Sequence, residues 1–176
     1  MSQSHNHEND CCSKSVTATQ SLDEMDFERG IWNAALYNDI ERVKKLLKHT
    51  SANLEDKSGY TALHYAARNG HLKVCETLLQ HGAAVDAKTK AGGVTPLMRA
   101  VTTGHANVVD MLIKNGADIS IRDNDGNNSV HRAVLSGQTA ITKILLHKRP
   151  DLKLIPNGKN LLPKELSNNQ EIISLF

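Results

Sequence analysis

The sequence predicts an all-α solenoid in which helix–turn–helix units are stacked side by side. The main observation is a repeated segment: GYTALHYAARNGH at residues 59–71 returns 34 residues later as GVTPLMRAVTTGH and 33 residues after that as GNNSVHRAVLSGQ. A fixed period of this length is typical of repeat architectures. The aromatic content of only 3% also suits stacked helices that pack through Leu, Ala and Val. Together these observations favour a binding function over catalysis.

The charge of the chain is close to neutral and unevenly placed. The 176 residues carry a net charge of +2, which by itself indicates neither a nucleic acid nor a membrane partner. Residues 1–25 hold one Lys and four acids, a net charge of −3, whereas residues 26–176 hold 20 basic and 15 acidic side chains, a net charge of +5. The chain is long enough for one domain of ordinary size.

The first 25 residues are polar and have no apolar periodicity, which predicts a disordered tail at 1–25 followed by a repeat domain at 26–176. The tail has no basic segment followed by an apolar one, so we expect no signal peptide. No apolar run approaches the ~20 residues that a membrane span needs. Three cysteines without regular spacing fit a reducing compartment. We therefore expect an intracellular protein, in the cytoplasm, the nucleus or both.

The second repeat, at about 58–90, is the most regular one. Thr61 begins a first helix, which ends at Asn69-Gly70, and a second helix runs from about Leu72 to Gln80. The second helix has one apolar face, because its apolar residues are spaced three or four positions apart. Gly82 then stands where a left-handed residue ends a helix.

The other repeats copy this pattern with local changes. Pro96 suits the first turn of the third repeat's first helix, and the one extra residue of this repeat lies in the turn at 90–93. The fourth repeat has Asn128-Ser129 in place of Thr-Pro and Arg149-Pro150 in place of the second helix's terminal Gly. The predicted units are 26–57, 58–90, 91–123, 124–156 and a partial C-terminal cap at 157–176. Atypical end units are expected in a solenoid, because each must present one polar outer face.

The stretch TALHYAARNGHLKVCETLLQHGAAVDA from Thr61 resembles the ankyrin repeat family almost position by position. The resemblance covers about residues 26–176. It implies antiparallel helix pairs stacked side by side, with turns that project as fingers. It also implies a non-enzymatic module, without a cofactor, that binds a protein partner through a concave face and the finger tips.

Several residues that could carry chemistry have a simpler structural interpretation. We expect His64 and His131 to bond the turns between repeats, and Cys75 to pack in the core. The chain has no nucleophile elbow, phosphate loop or dinucleotide fingerprint. An alternative function is a metal- or redox-responsive regulator that uses the tail residues His5, His7, Cys11 and Cys12, although adjacent cysteines rarely chelate one tetrahedral ion well.

Tyr65, Arg99 and Arg132 occupy equivalent positions on successive first helices and should form one row on the concave face. Arg68 lies one turn after Tyr65. Arg binds carboxylates with two parallel hydrogen bonds, so an acidic segment of a protein is the expected ligand. The competing interpretation is that these side chains are solvated or pair with neighbours such as Glu76 or Asp110.

By resemblance to the family, the ends of the first helices and the finger turns complete the predicted protein-binding surface. We expect a monomer that binds no membrane, and nucleic-acid binding by the basic repeat region is a third, less favoured hypothesis. The predicted contact residues beyond the row are Asn69, Thr102, Thr103, Leu135 and Ser136 on the helices, and Lys57, Ser58, Tyr60, Lys90, Asn124, Asp125 and Asn127 on the fingers.

Overall fold

The computed structural model describes residues 30–176. The predicted boundary at 25/26 and the whole polar tail, with its His and Cys residues, lie outside this range. Within it, none of the helices is long and apolar enough to cross a membrane. The part of the chain that is described contains helices and turns and no strand.

Four helix pairs and a short C-terminal unit follow one another along residues 30–176. Each predicted repeat range contains one pair, and the range 157–176 contains a 3-10 turn and a short helix. The helices are α1 (Ile31–Leu36), α2 (Ile40–Leu46), α3 (Ala62–Arg68), α4 (Leu72–Gln80), α5 (Pro96–Thr103), α6 (Ala106–Lys114), α7 (Ser129–Leu135), α8 (Thr139–Lys148), the 3-10 helices Pro150–Leu154 and Pro163–Leu166, and α9 (Gln170–Ile173).

The helices are arranged in two layers. The first helices α1, α3, α5 and α7 pack against one another in order, and the 3-10 helix Pro163–Leu166 continues this layer. The second helices α2, α4, α6, α8 and α9 form the outer layer. Small and branched apolar side chains fill the space between the layers, and Cys75 is fully buried among them. Because each unit contacts mainly its neighbours, the chain is a solenoid, as predicted.

The first helices begin at the predicted residues. Thr61, Thr95 and Asn128 are the N-caps, and Pro96 is the first residue of α5, where its missing N–H has no helical partner to lose. Asn128 takes over the capping role of threonine, because its Oδ1 accepts hydrogen bonds from the N–H groups of Val130 at 3.0 Å and His131 at 3.1 Å. The substitution therefore leaves the start of the fourth repeat well capped.

Two buried histidines join neighbouring repeats. His64 accepts a hydrogen bond from the Thr61 N–H at Nδ1, over 3.1 Å, and donates one from Nε2 to the Val94 carbonyl, over 3.0 Å. His131 repeats this arrangement with the Asn128 N–H and the Leu161 carbonyl. The predicted structural role of both residues is confirmed.

The helix–helix turns are also linked from repeat to repeat. His71 donates from Nε2 to the Leu36 carbonyl over 2.9 Å, and His105 donates to the Arg68 carbonyl over 3.1 Å. Both carbonyls lie at the end of the preceding first helix, where no helical N–H is left to bond them. The two histidines are therefore structural.

The finger turns are stacked by one backbone hydrogen bond per neighbouring pair. The N–H groups of Lys90, Asn124 and Gly158 each donate over 3.0 Å to a carbonyl of the preceding finger. The fingers approach so closely that glycine is required at the contact. Gly126 has a φ of +75°, and a Cβ there would collide with the backbone nitrogen of Gly158.

We predict that Gly126→Ala lowers the free energy of unfolding by about 2 kcal/mol, because it combines the left-handed backbone cost with a backbone collision. Gly116→Ala is the matched control, since Gly116 has a φ of +89° but no atom within 4 Å of an added Cβ. It should cost only about 1 kcal/mol. Urea unfolding of both variants measures the difference, and equal losses would contradict the close stacking of the fingers.

Candidate functional site

The predicted contact residues of the first helices lie on one surface, which we call the concave face. On α3 the buried residues Ala62, Leu63, Ala66 and Ala67 face the core. His64 is buried as well, whereas Tyr65 and Arg68 are partly or largely exposed, and the same pattern recurs on α5 and α7. The structure thereby brings together Tyr65, Arg68, Asn69, Arg99, Thr102, Thr103, Arg132, Leu135 and Ser136.

Each finger turn is closed by a side chain at the same position. In the first finger, Oδ1 of Asp56 accepts hydrogen bonds from the N–H groups of Ser58 at 2.9 Å and Tyr60 at 2.8 Å. Its second oxygen accepts a hydrogen bond from the hydroxyl of Tyr65, nine residues later, over 2.7 Å. Burial and this bond to Asp56 raise the pKa of Tyr65. The finger carboxylate thus fixes the first member of the predicted row.

The third finger holds Arg132 in the same way. Oδ1 of Asp123 accepts from the N–H groups of Asp125 at 2.9 Å and Asn127 at 2.8 Å. Its Oδ2 accepts from Nε of Arg132, again nine residues later, over 2.6 Å, and also contacts Nη2. The Asp123 side chain is 0% exposed and that of Arg132 is 27% exposed. Arg132 is therefore committed to a buried ion pair.

The second finger differs from its neighbours because Thr89 stands at the carboxylate position. The single oxygen of Thr89 accepts from the Val94 N–H over 3.1 Å, and Arg99 follows ten residues later because this finger is one residue longer. Arg99 instead donates to the Tyr60 hydroxyl and places its guanidinium carbon 4.9 Å from the centre of the Tyr60 ring. No carboxylate within residues 30–176 pairs with it.

The row is therefore not a set of equivalent free side chains. Pairing with Glu76 or Asp110, which the sequence left open, is wrong, because the acidic partners are the finger residues Asp56 and Asp123. Asp110 pairs with Lys114 on its own helix at 2.6 Å. A repeat sequence lines up equivalent positions but does not show which residues of the projecting turns fold back onto them.

A cavity of about 250 Å³ lies at the C-terminal end of the concave face. The leucines Leu135, at 51% exposure, and Leu161, at 37%, are among the few large apolar side chains that residues 30–176 expose to solvent. Four residues predicted from the sequence contribute to its wall, together with four from the C-terminal unit and its finger. The cavity is lined by Asp125, Asn127, Arg132, Leu135, Asn157, Lys159, Leu161 and Leu166.

The other predicted contact residues differ in their exposure and in their hydrogen bonds. The hydroxyls of Thr102 and Thr103 donate to carbonyls of their own helix at 2.8 and 2.9 Å. Asn127 is only 6% exposed, and its Oδ1 accepts from Nδ2 of Asn157 at 2.9 Å, so it supports the finger from inside. The finger residues Lys57, Ser58, Lys90, Asn124 and Asp125 are exposed. Of these, Lys90 forms an ion pair with Glu55 at 3.3 Å, and Asn124 donates to the Ala91 carbonyl at 2.9 Å.

The buried titratable groups His64 and Cys75 are uncharged at neutral pH, which fits a structural role. Burial lowers the pKa of His64 to about 4 and raises the pKa of the Cys75 thiol to about 12, so at neutral pH one is an uncharged imidazole and the other an unreactive thiol. Within residues 30–176, no group of three or more His, Cys, Asp or Glu side chains could hold a metal ion. The proposed tail site of His5, His7, Cys11 and Cys12 lies outside the described residues.

Sequence reasoning missed the finger residues that hold the row and half of the cavity wall. The signal for the first was present, because an acid precedes both Tyr65 and Arg132 by nine residues. The cavity residues Lys159, Leu161 and Leu166 lie in the C-terminal unit, where the repeat motif is too degenerate for these residues to be aligned with the other repeats. Only the packing of Pro163–Leu166 against α7 reveals their place.

Comparison with known proteins agrees with this architecture. A family model described as ankyrin repeats (3 copies) matches residues 31–123, and one described as ankyrin repeats (many copies) matches residues 107–146. The chain is 54% identical over 83 residues to ankyrin repeat domain-containing protein 39 of Homo sapiens, covering 45% of each chain. It is 58% identical over 65 residues to the protein of that name from Bos taurus, covering 35% of this chain and 36% of that one.

These alignments span less than half the length of either relative. A more distant relative is the transient receptor potential cation channel subfamily A member 1 homolog of Caenorhabditis elegans, 30% identical over 124 residues, or 70% of this chain and 10% of that protein. The family models, the repeat period and the stacked helix pairs agree. The chain belongs to the ankyrin repeat family, whose members typically serve as protein-interaction modules.

Proposed function

We propose that this chain is a non-enzymatic module that binds a protein partner through its concave face and finger turns. The observation that carries the proposal is the cavity at the C-terminal end of that face. It combines exposed leucines with charged side chains from a finger and a helix, which is the mixed composition of protein interfaces. Tyr and Arg in the neighbouring row are residue types enriched among interface hot spots.

We further propose that the partner presents an acidic segment and that the module acts as a monomer inside the cell, in the cytoplasm or the nucleus. The net charge of +5 over residues 26–176 supports an acidic partner. The unpaired, buried thiol of Cys75 supports a reducing compartment. The exposed large apolar side chains of residues 30–176 number five and are spread along the chain, which favours a monomer over an obligate dimer.

We predict that Leu135→Asp reduces capture of the partner by about tenfold, because it places a charge in an apolar contact. The melting temperature should stay unchanged, since Leu135 is 51% exposed. The measurement is affinity capture from an extract of cells that express the protein, with bound proteins quantified by mass spectrometry.

Leu154→Asp is the matched control, because Leu154 is 70% exposed but lies outside the cavity. It should leave capture intact. The proposed binding surface is wrong if Leu135→Asp captures the same proteins in the same amounts as the wild type. It is equally wrong if both aspartate variants lose capture to the same extent.

A further inference from the structure

Each of the four fingers is closed by one side chain, and nine or ten residues later a second side chain stands at an equivalent position. In one of these four pairs the second side chain is a cation that the finger residue does not bond. A carboxylate meets a hydrogen-bond donor in two repeats, and a neutral amide precedes a leucine in the C-terminal unit. In the remaining repeat, a hydroxyl that is already used precedes an arginine. The pairs in chain order are Asp56 with Tyr65, Thr89 with Arg99, Asp123 with Arg132, and Asn157 with Leu166.

Arg99 is therefore the cation of the row that has no carboxylate partner within residues 30–176. Its contacts within residues 30–176 are the Tyr60 hydroxyl and the Tyr60 ring. Its Nε is buried and has no hydrogen-bond partner among these residues. The structure therefore leaves part of the hydrogen-bonding capacity of the guanidinium unused. Arg99 is nevertheless partly exposed, so a ligand can reach the side chain from solvent.

We propose that Arg99 is the anchor for an acidic side chain of the partner. A carboxylate of Asp or Glu there takes the part that Asp56 and Asp123 play in their own repeats. Arginine binds a carboxylate with two parallel, charge-assisted hydrogen bonds. This inference rests on the proposed function and specifies the residue that reads the acidic segment.

The surroundings of Arg99 support a carboxylate ligand at this place and not at Arg132. Arg68 stands on the preceding repeat of the same face, exposed and without an ion pair within residues 30–176. It adds a second cation on the concave face. Asp56 of the first finger is occupied by two backbone N–H groups and the Tyr65 hydroxyl. Arg132, in contrast, is already neutralised by Asp123.

The test uses the full chain, labelled with ¹⁵N, and follows the side-chain Nε–H resonances of Arg99 and Arg132. These resonances are assigned by their loss in Arg99→Lys and Arg132→Lys. The probe is a capped peptide of alternating Glu and Ala, with a peptide of alternating Gln and Ala as its neutral control and inorganic phosphate as a second anion. The affinity of the Glu peptide is also measured for Arg99→Gln.

We expect the Glu peptide to shift the Arg99 resonance at concentrations that leave the Arg132 resonance in place. Arg99→Gln should weaken its binding by about tenfold, equivalent to ~1.4 kcal/mol. The Gln peptide should have no effect. The inference is overturned if the Arg99 resonance does not move, if Arg132 responds instead, if the Gln peptide acts equally, or if phosphate binds more tightly than the peptide.

The two proposals fail separately. If Leu135→Asp loses capture but the Glu peptide does not shift the Arg99 resonance, the cavity remains a binding surface and the proposed role of Arg99 is wrong. If the Glu peptide binds at Arg99 while Leu135→Asp leaves capture intact, the anchor stands and the cavity is wrong.

Discussion

Arg132→Leu is expected to lower the free energy of unfolding by about 3–4 kcal/mol, because it leaves a buried carboxylate without its cation. The side chain of Asp123 is 0% exposed and cannot recover solvation by turning outward, since its other oxygen closes the finger turn. Urea unfolding monitored by circular dichroism measures the loss. Arg99→Leu should cost far less, because no buried charge depends on Arg99 among the residues that the structure describes.

The chain itself supplies the control for this prediction. The C-terminal unit has Asn157 at the finger position and Leu166 nine residues later, so the double variant Asp123→Asn with Arg132→Leu copies a pair that already exists in the fold. Asn157 still closes its turn, by accepting from the N–H groups of Lys159 and Leu161. The double variant should recover most of the stability that Arg132→Leu loses. A double variant as unstable as the single one would show that Arg132 acts through packing and not through Asp123.

The second large effect is a loss of stability on acidification that originates at His64. Burial lowers the pKa of His64 in the folded state from 6.5 to about 4, so the unfolded chain binds more protons than the folded one between these values. The stabilising contribution is complete above about pH 6.5 and is lost as the pH falls towards 4. The full loss amounts to about 3 kcal/mol, of which about 2 kcal/mol is already lost at pH 5. Burial lowers the pKa of His131 as well, which adds a loss of the same sign.

The measurement is a series of urea unfolding curves from pH 7.5 to pH 4.5 for the wild type and for His64→Met. The substitution copies the third repeat, where Met98 is fully buried at the equivalent position. The variant should be less stable at neutral pH, since it lacks the hydrogen bond to Val94, but its stability should fall less steeply with acid. Parallel slopes for the two proteins would contradict a buried neutral imidazole at His64.

The repeat pattern predicted the fold well because it reports a local requirement that recurs. The regular repeats share a capping residue such as Thr61, a histidine such as His71 that bonds the previous carbonyl, and a second helix with an apolar face. These requirements repeat at the stacking period, so one regular copy locates the others. The extra residue of the third repeat lies in a turn, as the sequence predicts, and Lys90 and Ala91 of that turn are exposed.

The candidate site was predicted only in part, because function resides in the positions that do not repeat. The sequence predicts that Tyr65, Arg99 and Arg132 form one row. It does not show which of these side chains bonds a finger carboxylate and which one has no carboxylate partner among the described residues. That distinction depends on the finger residue that folds back over each helix, and Thr89 differs from Asp56 and Asp123 by one functional group. The cavity was missed because Leu161 and Leu166 come from a unit whose first helix is reduced to a 3-10 turn.

We infer that Arg99 is available to a partner because Thr89 offers it no carboxylate, whereas Asp123 offers one to Arg132. The most direct measurement is the affinity of the Glu–Ala peptide for Thr89→Asp and for Thr89→Asn. Both side chains can accept the Val94 N–H, but only the aspartate supplies an internal carboxylate and a negative charge beside Arg99. We expect Thr89→Asp to weaken peptide binding by about tenfold or more, while Thr89→Asn binds as the wild type does. Unchanged affinity in Thr89→Asp, or an equal loss in both variants, would contradict the account.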